Sequence, residues 1–151
     1  WPCWTKRGEF FAWGNGERGQ IGQEGFDDVA WEPIKVDLTA KGSDLGAVSV
    51  SCGTAHVACI AVATEEVELV QRGGEATQRH LLTWGENQSG QLGYETPGND
   101  ARGAMPALVA FKSSNPVQVS CGATHSAALD DQGQVWMWGA ADCMQRNKET
   151  R

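Results

Sequence analysis

Two stretches of the chain alternate apolar and polar residues with a period of two. Val48, Val50 and Cys52 stand against Ser49 and Ser51, and Val117, Val119 and Cys121 against Gln118 and Ser120. This is the pattern of a strand with one face turned to a core. The strand after each is apolar on both faces, continuously at residues 57–62 (VACIAV) and nearly so at 126–129 (SAAL). Such strands are expected to be covered on both sides. Further strands are predicted at 9–13, 33–38, 106–111 and 134–138, and around the pair Leu82 and Trp84. Phe11 and Trp13, Leu82 and Trp84, and Trp136 and Trp138 are each two apart, which puts each pair on one face. Residues 5–8 and 131–133 read as hairpin turns whose glycine supplies a positive φ. Pro33 and Pro106 are expected to open their strands, where a missing N–H is tolerated. No segment keeps a helical period over three turns.

The polar stretches between these strands are not independent. LTWGENQSGQLG (82–93) returns nearly intact as FAWGNGERGQIG (11–22), and MWG (137–139) repeats its start. VSCG with a following histidine occurs as Cys52-Gly53 with His56 and as Cys121-Gly122 with His125. Pro33-x-x-Val36 is matched by Pro106-x-x-Val109. Three motifs in fixed order are an internal repeat. Trp13 to Trp84 is 71 residues and Trp84 to Trp138 is 54, because Cys52 to Trp84 spans 32 whereas Cys121 to Trp138 spans 17. Removing those 15 extra residues leaves a unit of about 55 residues with one insertion. Residues 5–22 are then the end of one unit, 33–93 a second unit with an insertion at 63–79, 106–139 a third, and 140–151 a tail. Within the shared loop, Gly19, Gly22, Gly90 and Gly93 permit backbone angles closed to other residues, and Asn15 and Asn87 suit hydrogen bonds to nearby backbone.

Four short strands per unit, one of them covered on both faces, fit sheets stacked face to face around an axis, as in a β-propeller. A self-contained β-sandwich is the alternative, and it gives no reason for repetition. The order Cys-Gly-x-x-His, apolar strand, turn glycine, aromatic-x-Trp-Gly and Gly-Gln-[Ile/Leu]-Gly resembles the regulator of chromosome condensation repeat family over about residues 5–139. The resemblance implies a seven-bladed propeller, of which this chain carries the end of one blade and two whole ones. It implies structural roles for Trp13, Gly14, Gly19, Gly22, Cys52, Gly53, His56, Trp84, Gly85, Gly90, Gly93, Cys121, Gly122, His125, Trp138 and Gly139. The pattern breaks after Gly139, where Met144 and Asn147 occupy the places of Gly90 and Gly93. The remaining blades are expected from other chain segments or a partner, and the 151 residues alone are expected to self-associate through uncovered end faces.

Composition narrows the function. The net charge of −7 disfavours a phosphate-neutralising surface, so nucleic-acid binding is not expected. No run of 18 apolar residues could span a membrane. The five cysteines are odd in number and follow no disulfide spacing, which suggests an intracellular, reducing compartment. The chain opens Trp-Pro-Cys-Trp without methionine, so a targeting peptide cannot be read.

Cys52, His56 and Cys59 have a spacing that could begin a zinc site, but the second copy reads Cys121, His125 and Ala128. No metal or other cofactor is expected. Cys52 and Cys121 are read as buried, reduced thiols, and His56 and His125 as hydrogen-bonding buried backbone between strands. No nucleophile motif marks a catalytic site. The insertion is read as a lengthened hairpin turning at Gly73-Gly74, with Glu65, Glu66, Glu68, Arg72, Glu75 and Arg79 as candidate partner-binding residues. The family resemblance implies a protein-interaction scaffold within a larger assembly, with guanine nucleotide exchange on a small GTPase as the alternative. Chromatin binding ranks below both, because of the acidic balance.

Overall fold

The computed structural model describes residues 2–25, 28–96, 101–110 and 114–141. Trp1, Cys143, Met144, Asn147, the end of the strand expected at 106–111 and nearly all of the tail lie outside them. About half of the described residues are strand, in three antiparallel sheets, and only a few are helical. The first sheet holds β1 (Pro2–Trp4), β2 (Phe10–Asn15) and β3 (Val29–Val36) in that order. The second runs β4 (Thr39–Ala40), β5 (Ser43–Cys52), β6 (His56–Ala63), β7 (His80–Glu86) and β8 (Arg102–Leu108). The third holds β9 (Pro116–Cys121), β10 (His125–Asp130) and β11 (Val135–Gly139).

The sheets stack face to face. Phe10, Ala12, Ile21 and Val36 close a core with Ala47, Val57, Cys59, Leu82 and Trp84 between the first and second sheets. The opposite face of β6, Ala58 and Ile60, packs with Val119 and Ala128 of the third. Residues 57–62 are all buried, as an interior strand covered on both faces must be. This stack is a β-propeller fragment. The sandwich alternative fails, because the middle sheet has a core on each side.

Repeat and sheet are out of phase by one strand. β3, placed at the start of the second unit, pairs with β2, and β8, placed at the start of the third, pairs with β7. The first and second sheets therefore take their outermost strand from the following unit. The unit boundaries expected at 33 and 106 shift accordingly. The two prolines also sit inside their strands rather than opening them. Ala12 pairs with Ile34 but Gly14 with Ala30, and Thr83 pairs with Ala107 but Gly85 with Gly103. Each edge strand thus loops out beside a tryptophan, and Pro33 and Pro106 lie in those irregularities, where no ladder N–H is needed.

The insertion is not a hairpin. Thr64–Glu66 form a 3-10 turn that runs into α1 (Val67–Gln71). Gly73 at φ +86° ends the helix, with its N–H on the Val70 carbonyl and that of Gly74 on the Leu69 carbonyl. The glycine pair is therefore a helix C-cap, not a strand turn. Five helical residues are too few to show a helical period in the sequence. Val67 is buried in a notch made by Gly8 and Gly46. A methyl on Gly46 would come within 2.4 Å of the Val67 Cγ2, and one on Gly8 within 2.7 Å of the Gly46 Cα.

Candidate protein-interaction site and the junctions that hold it

The shared loop works as a receptor for the tryptophan of the next sheet. In the first copy the Gln20 side-chain oxygen accepts the Arg18 amide at 2.8 Å, and in the second Gln91 accepts that of Ser89 at 2.9 Å. Asn15 accepts the Glu17 amide and Asn87 accepts that of Leu92, as their loop positions suggested. Each loop is thereby clamped by its own side chains, and the glutamine's backbone carbonyl is left facing the next sheet. Trp84 Nε1 donates to the Gln20 carbonyl at 3.1 Å, and Trp138 Nε1 to that of Gln91 at 2.9 Å. The indole fits because the loop ends in glycine. A Cβ on Gly22 would lie 2.9 Å from Trp84 Nε1, and one on Gly93 3.0 Å from Trp138 Nε1. Gly19 approaches the Ala104 backbone in the same junction. Trp13 is half-buried in the first sheet.

His56 ties the second sheet to the third, through a hydroxyl rather than through backbone directly. The Ser126 hydroxyl donates to the Gln91 carbonyl at 2.9 Å, so its lone pairs are left to accept from His56 Nε2, also at 2.9 Å. The ring rests on Gly53, where a Cβ would come within 2.1 Å of its Cε1. His56 Nδ1 is buried without a partner, so a second proton there would be unsolvated. Burial accordingly holds the His56 pKa down, to about 4 from an ordinary 6.5. The unfolded chain thus binds a proton in this window that the folded chain does not. Stability from His56 is full above the unfolded value and is lost as pH falls toward 4, on the order of 2 kcal/mol. Urea midpoints measured across that range are expected to fall less steeply with acid in His56→Gln than in the parent. Parallel slopes would show that His56 does not set the acid limit. His125 is half-buried, and its ring rests on Gly122 in the same way.

The cysteines divide differently from expectation. Cys52 is exposed and Cys121 half-buried, while Cys59 is the fully buried thiol. Cys121 donates from Sγ to the Ser51 carbonyl and from its amide to Ser51 Oγ across the sheet junction. Cys52 ends β5 on the face turned away from the third sheet, where less packs over it. Burial pushes the half-buried Cys121 thiol up from the usual range. Cys59 packs with the first-sheet core, whereas His56 reaches the third sheet from the other face of β6. Those two cannot converge on one ion, and among the described residues no group of three His, Cys, Asp or Glu side chains could hold a metal.

Of the six insertion residues, Glu66 is committed to the fold. Its carboxylate accepts the amide and hydroxyl of Thr77, which hold its pKa below the usual carboxylate range. Arg72 pairs with Glu68 one turn away. The Arg79 amide donates to Asn115 Oδ1, fastening the end of the insertion to the third sheet. Glu65 and Glu75 are exposed, as is Leu69. The residues missed by sequence reasoning are Gln20, Gln91 and Ser126. The glutamines recur in each loop, and that recurrence was their signal, whereas Ser126 aligns with Val57 and left none.

The geometry agrees with what the chain matches. The regulator of chromosome condensation (RCC1) repeat profile matches residues 7–60 and 80–129, and a second profile of the same repeat matches 117–145. The gap at 61–79 is the insertion. Human E3 ubiquitin-protein ligase HERC2 is 30% identical over 138 residues, covering 91% of this chain and 2% of the ligase. The mitochondrial RCC1 domain-containing protein RUG3 of Arabidopsis thaliana is 28% identical, covering 91% of this chain and 26% of its own length. Among solved structures, human WBSCR16 superposes with a TM-score of 0.66 at 25% identity, covering 91% of this chain and 30% of its own. Yeast RCC1 (Prp20), in its complex with Kap60, gives 0.68 at 18% identity over 91% of this chain and 29% of its own, a likeness of fold. The chain therefore spans a small part of each relative. With repeat motifs, stacked sheets and matches extending over most of its length, it belongs to the regulator of chromosome condensation repeat family.

Proposed function

We propose that this chain is a protein-interaction module, a segment of propeller scaffold in a larger assembly, and not an enzyme. The observation that carries this reading is the division of labour in the molecule. The repeat residues are spent on sheet-to-sheet junctions, whereas the insertion presents Glu65 and Leu69 on its helical turns and Glu75 in the segment after them. It is fastened at its start by Thr64 to the Asp44 carbonyl and at its end by Arg79 to Asn115. A rigid scaffold with an anchored, exposed loop is the usual arrangement for binding. The solved yeast relative, bound to Kap60, contacts a protein in its crystal. A reducing compartment suits thiols that are all free among the described residues.

Deleting residues 65–78 would uncover the Gly8–Gly46 notch, so point charge reversals are the cleaner test. Glu65→Lys with Glu75→Lys is expected to leave the denaturation midpoint unchanged and to weaken a co-purified partner roughly tenfold or more. Unchanged affinity would leave the insertion without a binding role. Guanine nucleotide exchange is the alternative reading, resting on the family relationship alone. A panel of small GTPases is expected to show no faster nucleotide release with this chain. Accelerated release by any member would replace the scaffold reading with exchange.

A further inference from the structure

Two clefts of matching origin open between successive sheets, beside the turns that precede β2 and β7. The first, of about 340 Å3, lies between the first and second sheets and is lined by Arg7, Glu9, Lys35, Asp37 and Asp44 among others. The second, of about 330 Å3, lies between the second and third sheets, lined by Lys41, Arg79, His80, Leu108, Ser114 and Asn115 among others. Residues 7–10 of the one correspond to 78–81 of the other, and both clefts are walled by the chain leaving an outermost strand. Their size is the same and their charge is not.

In the first cleft the cations are balanced. Lys35 pairs with Glu9 at 3.1 Å, and Asp37 and Asp44 face the same space. Among the described residues, the second has three basic side chains and no carboxylate in its lining. Neither Lys41 nor Arg79 forms an ion pair with a described residue. The two carboxylates at the end of β10, beside Asn115, are already engaged. Asp130 accepts Trp136 Nε1 and the amides of Gln132 and Gln134, and Asp131 accepts the amide and side chain of Asn115. Lys41 sits at φ +52° in the turn between β4 and β5. Arg79 is held in place by its own amide on Asn115 Oδ1. Burial, and after it the nearby Lys41 ammonium, lower the His80 pKa. A cationic cleft in a chain of net charge −7 is the reverse of what composition alone leads one to expect.

We propose that this cleft, with Lys41 and Arg79 as the binding cations and His80 beside them, is a site for an oxyanion of about the size of phosphate. Two unpaired cations at the mouth of a part-buried cleft attract an anion more strongly than the same charges on open surface, because the low-dielectric walls reduce screening. Arg79 offers a planar fork for two oxygens of one group and Lys41 a point charge. The insertion brings Arg79 there, since the other cleft is reached by a tight turn. The site is independent of the partner proposed above, and its test needs no partner.

The 151-residue chain, labelled with 15N, is titrated with inorganic phosphate and separately with phosphoserine blocked at both ends. Saturable shifts confined to residues around 41, 78–81 and 114–115 are expected for at least one of them. Phosphate alone marks a free anion as the ligand, and tighter phosphoserine binding marks a modified protein segment. Lys41→Glu with Arg79→Glu is expected to weaken binding at least about tenfold. Arg7→Glu with Lys35→Glu, in the balanced cleft, is expected to leave it unchanged. Should the double reversal unfold the chain, Lys41→Gln and Arg79→Gln are read instead, with the same expected order. No saturable shift with either ligand, or equal weakening by charge reversal in both clefts, overturns the proposal.

Discussion

Replacing Trp84 by alanine is expected to lower the stability of this chain by about 3–5 kcal/mol, the range for removing a fully buried large aromatic. That is a large part of the ~5–15 kcal/mol that holds a typical domain together. Trp84 is buried completely, meets Phe10 edge to face with ring centroids 5.3 Å apart, and donates to the Gln20 carbonyl. Truncation empties the centre of the first junction and leaves that carbonyl without its indole donor. Trp84→Phe keeps most of the packing and loses the bond, so its expected loss is smaller, about 1–3 kcal/mol. Trp31 is the internal control. It is 87% exposed, and Trp31→Ala is expected to fall within about half a kcal/mol of the parent. Urea denaturation followed by far-UV circular dichroism measures all three. If Trp84→Ala and Trp31→Ala shift the midpoint equally, the tryptophan–loop junction is not what holds the sheets together.

The second large effect is expected from a single methyl group. Gly85 follows Trp84 at φ +107°, and a Cβ there would stand 2.4 Å from the Ala55 carbonyl oxygen and 2.8 Å from the His56 Cα. Both obstacles are backbone, and the Ala55 carbonyl already accepts the Glu86 amide at 2.8 Å, so neither can step aside without breaking the β6–β7 ladder. Gly85→Ala combines a strained backbone angle with overpacking, and a loss of roughly 2–5 kcal/mol is expected. Gly73→Ala separates the two causes, because Gly73 has a similar sign of φ (+86°) and open space where its Cβ would go. Its expected loss is only about 1–2 kcal/mol. Gly139, at φ +111°, would meet the Thr124 carbonyl at 2.6 Å in the same way, which explains why glycine follows tryptophan in these two copies. Calorimetric unfolding of the two variants side by side decides the matter. Equal losses would mean that the backbone angle alone, and not the close approach of the strands, demands glycine after tryptophan.

Much of the fold was legible from residue order. The alternation around Val50 and Val119 located β5 and β9, and the unbroken run at 57–62 marked the strand that has sheets on both sides. The recurrence of Trp-Gly and Gly-Gln-x-Gly marked the parts that hold successive sheets. What was misread has one character. The insertion was assigned by its length and its glycine pair, yet α1 is stabilised by Val67 entering a notch between two distant glycines. Cys52 was read as buried because its strand alternates, and Pro33 was placed at a strand start because proline usually stands there.

The sequence by itself determined where most of the strands lie, that they repeat, and which face of the alternating strands is apolar. These properties depend on residues two to four positions apart, whose relative directions the backbone sets. Only the tertiary structure decided what covers each face. The partners of Trp84, His56 and Arg79 lie 64, 70 and 36 residues away along the chain. The phase between repeat and sheet, the exposure of Cys52 and the meeting of Lys41 with Arg79 in one cleft depend likewise on which strands become neighbours. Alternation points a side chain to one side of its sheet, but burial and charge environment arise only when a second sheet arrives at that side.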